Sequence, residues 1–197
     1  MKPQDVQPVQ LVVCALESDG DLFAEARSLM SADFGPEAEL HGPWDFDVTD
    51  YYDAEMGDGE IRRWIVAFEE PVRSEQLPEA KLLTNRVEER LALDGQRKVN
   101  LDTGYLDFNK FVLASAKFHE HKIHLGLGIY ADLTLLFNSG AWHSLPWSFA
   151  DFRDNRYYEA FTRVRDGYRR RMRGSPSPRP LLYGPSHSGS ANSSVER

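Results

Sequence analysis

The sequence predicts an α+β chain with a ferredoxin-like βαββαβ start, a larger antiparallel sheet and a C-terminal helix. Three observations carry that prediction. Period-two apolar runs and helically spaced apolar stripes follow one another as strand, helix, strand, strand, helix, strand. The stretch from Arg97 to Phe137 then reads as four strand-like runs joined by short turns. Tyr157 to Met172 returns to helical spacing, with Tyr158, Phe161, Val164 and Tyr168 on the inner side.

Residues 1–9 read as a flexible lead-in, 10–173 as a single α+β domain and 174–197 as a disordered tail rich in Ser, Pro and Gly. Leu11 to Leu16 is a continuous apolar run, which suits a buried strand. Asp19, Gly20 and Asp21 open a helix carrying Leu22, Phe23, Ala26, Leu29 and Met30, and Gly35-Pro36 ends it. Trp44, Phe46 and Val48 alternate with Asp45, Asp47 and Thr49, the period of a strand. Asp58-Gly59 marks a turn, and Ile61 to Phe68 is apolar on both faces, so it reads as a central strand. Ser74 is the expected cap of a second helix, and Pro78 is tolerable in its first turn. Ala80, Leu83, Thr84, Val87 and Leu91 form its inner stripe, and Gly95 stops it. Lys81, Asn85 and Glu88 share a flank that either faces water or borders the polar face of the later strands. Strands at 111–117, 122–127 and 129–137 extend the sheet as a meander, and Asn138-Ser139-Gly140 turns the chain. The aromatic segment that follows should pack across the sheet or along an edge. Within the tail, Leu181, Leu182 and Tyr183 are expected to dock weakly.

Thirty-one acids against 23 bases give a formal net charge of -8 and a pI near 5.3. Such a field repels phosphate backbones and anionic lipids, so neither DNA nor membrane is an expected partner. The basic end of the last helix, Arg169 to Arg171 and Arg173, suits the helix dipole. No run of about 18 apolar residues occurs and the N-terminus lacks an apolar signal core. The single cysteine, Cys14, lies in an apolar run and reads as a small buried hydrophobe, so a cytoplasmic location is expected. A phosphate-loop motif and a Gly-x-Ser-x-Gly elbow are both missing. Gly126-Leu127-Gly128 lacks the third glycine of a dinucleotide fingerprint and sits between strands. His119, Glu120, His121 and His124 lack the spacing of a zinc site. No cofactor is identified.

Taking 97–137 with a period of two places polar side chains together. Asn100 and Asp102 share one face, as do Ser115 and Lys117, Lys122 and His124, and Tyr130, Asp132 and Thr134. Phe111 and Leu113 share a face with Ser115, which implies partial cover, and covered charges must be paired or used. Asp102, Lys117, His124 and Asp132 are therefore the candidate catalytic residues. Glu55, Lys81, Asn100, Ser115, Lys122 and Thr134 are the candidate ligand-binding residues.

Further segments reinforce this. Thr49-Asp50-Tyr51-Tyr52 with Glu55-Met56-Gly57, Lys98-Val99-Asn100-Leu101-Asp102 with Gly104-Tyr105, Leu113-Ala114-Ser115 with Lys117, Gly128-Ile129-Tyr130-Ala131, Thr134-Leu135, and Pro146-Trp147 followed by Asp151 are spaced along the chain. Together they resemble the bacterial family called domain of unknown function 4416, over roughly residues 8–172. The resemblance implies weight on Glu55, Asn100, Asp102, Ser115, Lys117, Lys122 and Asp132, but no established activity. Thr103, Lys122 and Asp132 stand where proline, arginine and glutamate are expected. The expected function is a polar pocket for a small anionic ligand, phosphate-bearing or a nucleotide, with hydrolysis or transfer as its chemistry. The alternative is a non-catalytic interaction module using Trp142, Trp147 and Phe149.

Overall fold

In the computed structural model, residues 1–49, 52–56 and 60–183 are described. The expected turn at Asp58-Gly59 and the tail beyond 183 lie outside them. Elements run β1 (Gln10–Glu17), α1 (Gly20–Phe34), β2 (Glu37–Asp45), α2 (Asp53–Met56), β3 (Arg62–Phe68), α3 (Leu77–Arg90), β4 (Val99–Leu106), β5 (Lys110–Ser115), β6 (Ile123–Gly126), β7 (Ile129–Asn138), β8 (Ala141–Ser144), α4 (Ala150–Arg153) and α5 (Tyr158–Met172).

The run Leu11–Leu16 is apolar on both sides because β1 is covered on both faces and flanked by β3 and β4. The eight strands form one antiparallel sheet in the order β2-β3-β1-β4-β5-β7-β6, with β8 also on β7. Leu11, Val13 and Ala15 pack with α1 and α3, while Val12 and Cys14 pack with α5. The period of two thus assigns alternate β1 residues to two hydrophobic layers, one on each face of the sheet.

Asp19 Oδ1 caps α1 by accepting from the N–H groups of Asp21 and Leu22, both at 3.0 Å. Gly35 ends that helix at φ 88°, a conformation that suits glycine. The inner stripe of α3 is buried as its spacing predicts. Its ends differ from expectation. Ser74 opens a short 3-10 turn, and α3 then starts with no side-chain cap. The helix stops at Arg90, and Gly95 instead serves the turn between Leu93 and Gln96.

Two further expectations are corrected. The strand expected at 44–49 ends at Asp45 and begins at Glu37, where EAELHGPWD shows little alternation. It is an edge strand with two register shifts, so nothing forces a clean apolar face on it. The later strands are not a meander: β5 pairs with β7, and β6 lies beyond β7. A tight hairpin through Gly126, Leu127 and Gly128, all at positive φ, ties β6 to the outer edge of β7. The aromatic segment, expected across the sheet or along an edge, begins as a strand, β8, which extends that same edge. At the start of the tail, Leu181 docks as expected, and Arg179 adds polar contacts. Arg179 binds Glu70 and the Asp33 carbonyl, and Leu181 is buried against the α1–α3 layer.

Candidate functional site

The site begins as a missing stretch of hydrogen-bond ladder. β4 pairs with β5 only through Gly104, Tyr105 and Leu106. Nearer its start β4 has no strand on that side, yet its buried peptide groups still need partners. Two side chains of α3 supply them. Glu88 accepts from the Leu101 N–H at 2.6 Å, and Lys81 donates to the Leu101 carbonyl at 2.8 Å. Where the strands part, a cavity of about 920 Å³ opens. α3 gives it Lys81, Asn85, Glu88 and Glu89, and β4 gives Asn100 and Asp102. β5 and the residues after it give Ala114, Ser115, Ala116 and Lys117. Arg97, Lys122, Val48, Thr49, Tyr52, Ala92, Phe149 and Ala150 complete the wall.

The charges are organised in linked groups. Arg97 binds Glu55, Glu88 Oε2 at 3.0 Å and Asn100 Oδ1 at 3.0 Å. Lys81 Nζ lies 3.6 Å from Glu88 Oε1. Burial raises the Glu88 pKa above its ordinary value, although Lys81 and the Leu101 N–H oppose the shift. Beneath the cavity, Arg63 is 2% exposed. It donates to Asp102 and Asp151, both at 3.1 Å, and to the Cys14 carbonyl. Burial alone would lower the Arg63 pKa, but Asp151 and then Asp102 outweigh it and hold it above the usual value. Tyr157 donates its hydroxyl to Asp151, which is fully buried. Burial, with Asp102 nearby, also raises the Tyr52 phenol. Burial does the same to the Cys14 thiol, which is thereby a poor nucleophile.

A third group stands at the β5–β7 side. Lys122 Nζ donates to Ser115 Oγ at 2.8 Å and lies 3.2 Å from Asp132. His121 Nε2 lies 3.4 Å from the other Asp132 oxygen, and its ring stacks on Trp147. His119 and His121 rings are 4.5 Å apart. Among the described residues no group of three or more His, Cys, Asp or Glu side chains is arranged to hold a metal ion.

Of the sequence-predicted catalytic residues, Asp102 and Lys117 line the cavity. Asp132 stands behind Lys122. His124 does not join them: it is exposed on β6, where it packs on Tyr130. Lys81, Asn100, Ser115 and Lys122 line the cavity, while Glu55 acts through Arg97. Thr134 lies elsewhere, with its hydroxyl on the Asp132 carbonyl. Phe111 pairs with Leu135 and Val112 with Leu133, so Thr134 is the extra residue of a bulge. The bulge breaks the assumed alternation: Leu133 and Leu135 join different core layers.

Of the two readings of the flank Lys81-Asn85-Glu88, the one that borders the polar face holds: the three residues line the cavity, with Lys81 8% and Glu88 5% exposed. Its i, i+4, i+7 spacing was the available signal. Arg97, Tyr52 and Phe149 were missed as wall residues. Arg63 was missed as well, although its parity with Ile65 and Ala67 places it on an inward face. Asn100 is 5% exposed, and its Nδ2 has no acceptor among the described residues. Trp142 of the alternative surface is 3% exposed and packs on Phe137 and Phe161.

Among the described residues no helix is long and apolar enough to cross a membrane. Comparison with curated proteins and with solved structures gives no match. The family model described as Domain of unknown function (DUF4416) matches residues 7–168, and the chain belongs to that family.

Proposed function

We propose that this chain binds a small molecule carrying an anionic group, in the fork between β4 and β5. The observation that carries this reading is the cavity itself. Its wall brings Lys81, Arg97, Lys117 and Lys122 together against three carboxylates, Glu88, Glu89 and Asp102. Its volume falls in the range of sites that enclose drug-sized ligands. Lys117 and Lys122 line the cavity beside Ser115, which Lys122 contacts at 2.8 Å, and this cluster at the end of β5 is assigned to the anion. A hydrolytic or transfer step would draw its acid or base from Asp102, the predicted catalytic carboxylate on the wall. The strand order β2-β3-β1-β4 with α1 and α3 on one face also supports the ferredoxin-like reading of the first half.

The test is a thermal-shift screen with inorganic phosphate, organic phosphates, carboxylates and divalent metals. A phosphate-bearing compound at 100 times its dissociation constant should stabilise the chain by about 2.7 kcal/mol. Lys122→Met should weaken that binding roughly tenfold or more while leaving the fold intact. Binding unchanged in Lys122→Met would remove the reading.

A further inference from the structure

The cavity is too large and too mixed in charge for a bare inorganic anion. A phosphate centred in it would meet Glu88, Glu89 and Asp102 as well as the lysines. Lys81 and Arg97 are paired with Glu88, and further polar groups of the wall come from two different strands. Ser115, Lys117 and Lys122 stand at the end of β5 and beyond it, whereas Asn100 and Asp102 project from β4 across the fork. Asp102 is a carboxylate with one oxygen bound by Arg63 and a side chain 28% exposed. A carboxylate only accepts hydrogen bonds, so what it can take from a ligand is an O–H or N–H donor. Asn100, two residues earlier on the same face, has its Oδ1 taken by Arg97 and its Nδ2 without an acceptor. Two residues span roughly 6.6 Å along a strand, so these groups address different atoms of a ligand body rather than one atom. Tyr52, Val48 and Phe149 supply an apolar wall for that body.

We infer that the ligand is a hydroxylated organic phosphate, with its phosphate at Lys117 and Lys122 and its hydroxyls donating to Asp102 beside Asn100. Arg63 is a positioning residue, holding the Asp102 carboxylate from beneath through its second pair with Asp151. The inference rests on the anion-binding reading above and goes further by naming the rest of the molecule.

The test changes the probe before the protein, so it does not depend on a variant folding. Calorimetric affinities of the full chain are compared for ribose 5-phosphate, n-pentyl phosphate, ribose and inorganic phosphate. Ribose 5-phosphate should bind roughly tenfold or more tightly than n-pentyl phosphate, because a site built to pair hydroxyls is penalised when they are missing. Asp102→Asn should narrow that ratio. Equal affinity for ribose 5-phosphate and n-pentyl phosphate would overturn the hydroxyl inference and leave the anion reading standing. Ribose binding as tightly as ribose 5-phosphate would overturn the anion reading instead. Binding of none of the four overturns both.

Discussion

The two halves of β4 solve the same problem in opposite ways. From Gly104 to Leu106 the strand takes β5 as its neighbour. There the approach is so close that a Cβ on Gly104 would lie 2.5 Å from the Val112 carbonyl and 2.9 Å from the Phe111 ring. From Val99 to Thr103 the same edge is satisfied at Leu101 by Lys81 and Glu88 instead of by a strand. The first half is a sheet; the second is a wall. A split sheet gives up ladder bonds, and in return exposes polar side chains inside a sheltered space. The charges that close the open half, Lys81 and Glu88, also line the cavity.

The largest effect is expected from beneath the open half. Arg63→Met leaves the buried Asp151 carboxylate without its cation and Asp102 without its anchor. Breaking a buried pair this way costs about 3–5 kcal/mol, measured as a lower urea midpoint with an unchanged slope. A loss under about 1 kcal/mol would mean that the cluster does not hold this end of β4.

The closed half is tested by Gly104→Ala. The added methyl meets backbone on one side and a fully buried ring on the other, so overpacking should cost about 1–3 kcal/mol. The same urea titration checks it. Because the methyl would push β5 away, a structure of the variant should show the fork lengthened toward Leu106. An unperturbed stability would show that the close approach is incidental.

The smallest effect separates the two halves by pH. Burial raises the folded-state pKa of Glu88. A carboxyl raised on folding contributes stability that is fully present below its unfolded pKa, about 4.3, and lost as pH rises through the folded value. Wild type measured against Glu88→Gln, which does not titrate there, should therefore lose relative stability as pH rises from about 4 toward 7. A difference that stays flat across that range contradicts the assignment. Gly104→Ala should show no such pH dependence relative to wild type.

Much of this was legible in the sequence because it depends on near neighbours. The apolar run at Leu11–Leu16, the Asp19 cap, the stripe of α3 and the turn at Asn138-Ser139-Gly140 follow from local periodicity and turn chemistry. The polar set Asn100, Asp102, Ser115, Lys117 and Lys122 was legible for the same reason. Where local pattern was weak or interrupted, reading failed: β2 has little alternation, and the Thr134 bulge shifts the parity of everything after it.

By itself the sequence determined which residues form strands and helices over most of the chain, and which strand residues are polar on one face. Only the tertiary structure decided that β5 would part from β4 after Leu113 while staying paired with β7 along its whole length. Only packing decided that the flank of α3 would fill the gap. Side-chain parity is set within a strand by the geometry of one chain. Which strand becomes a neighbour, and where the two part, is set by contacts between residues far apart in sequence, and no local pattern encodes those.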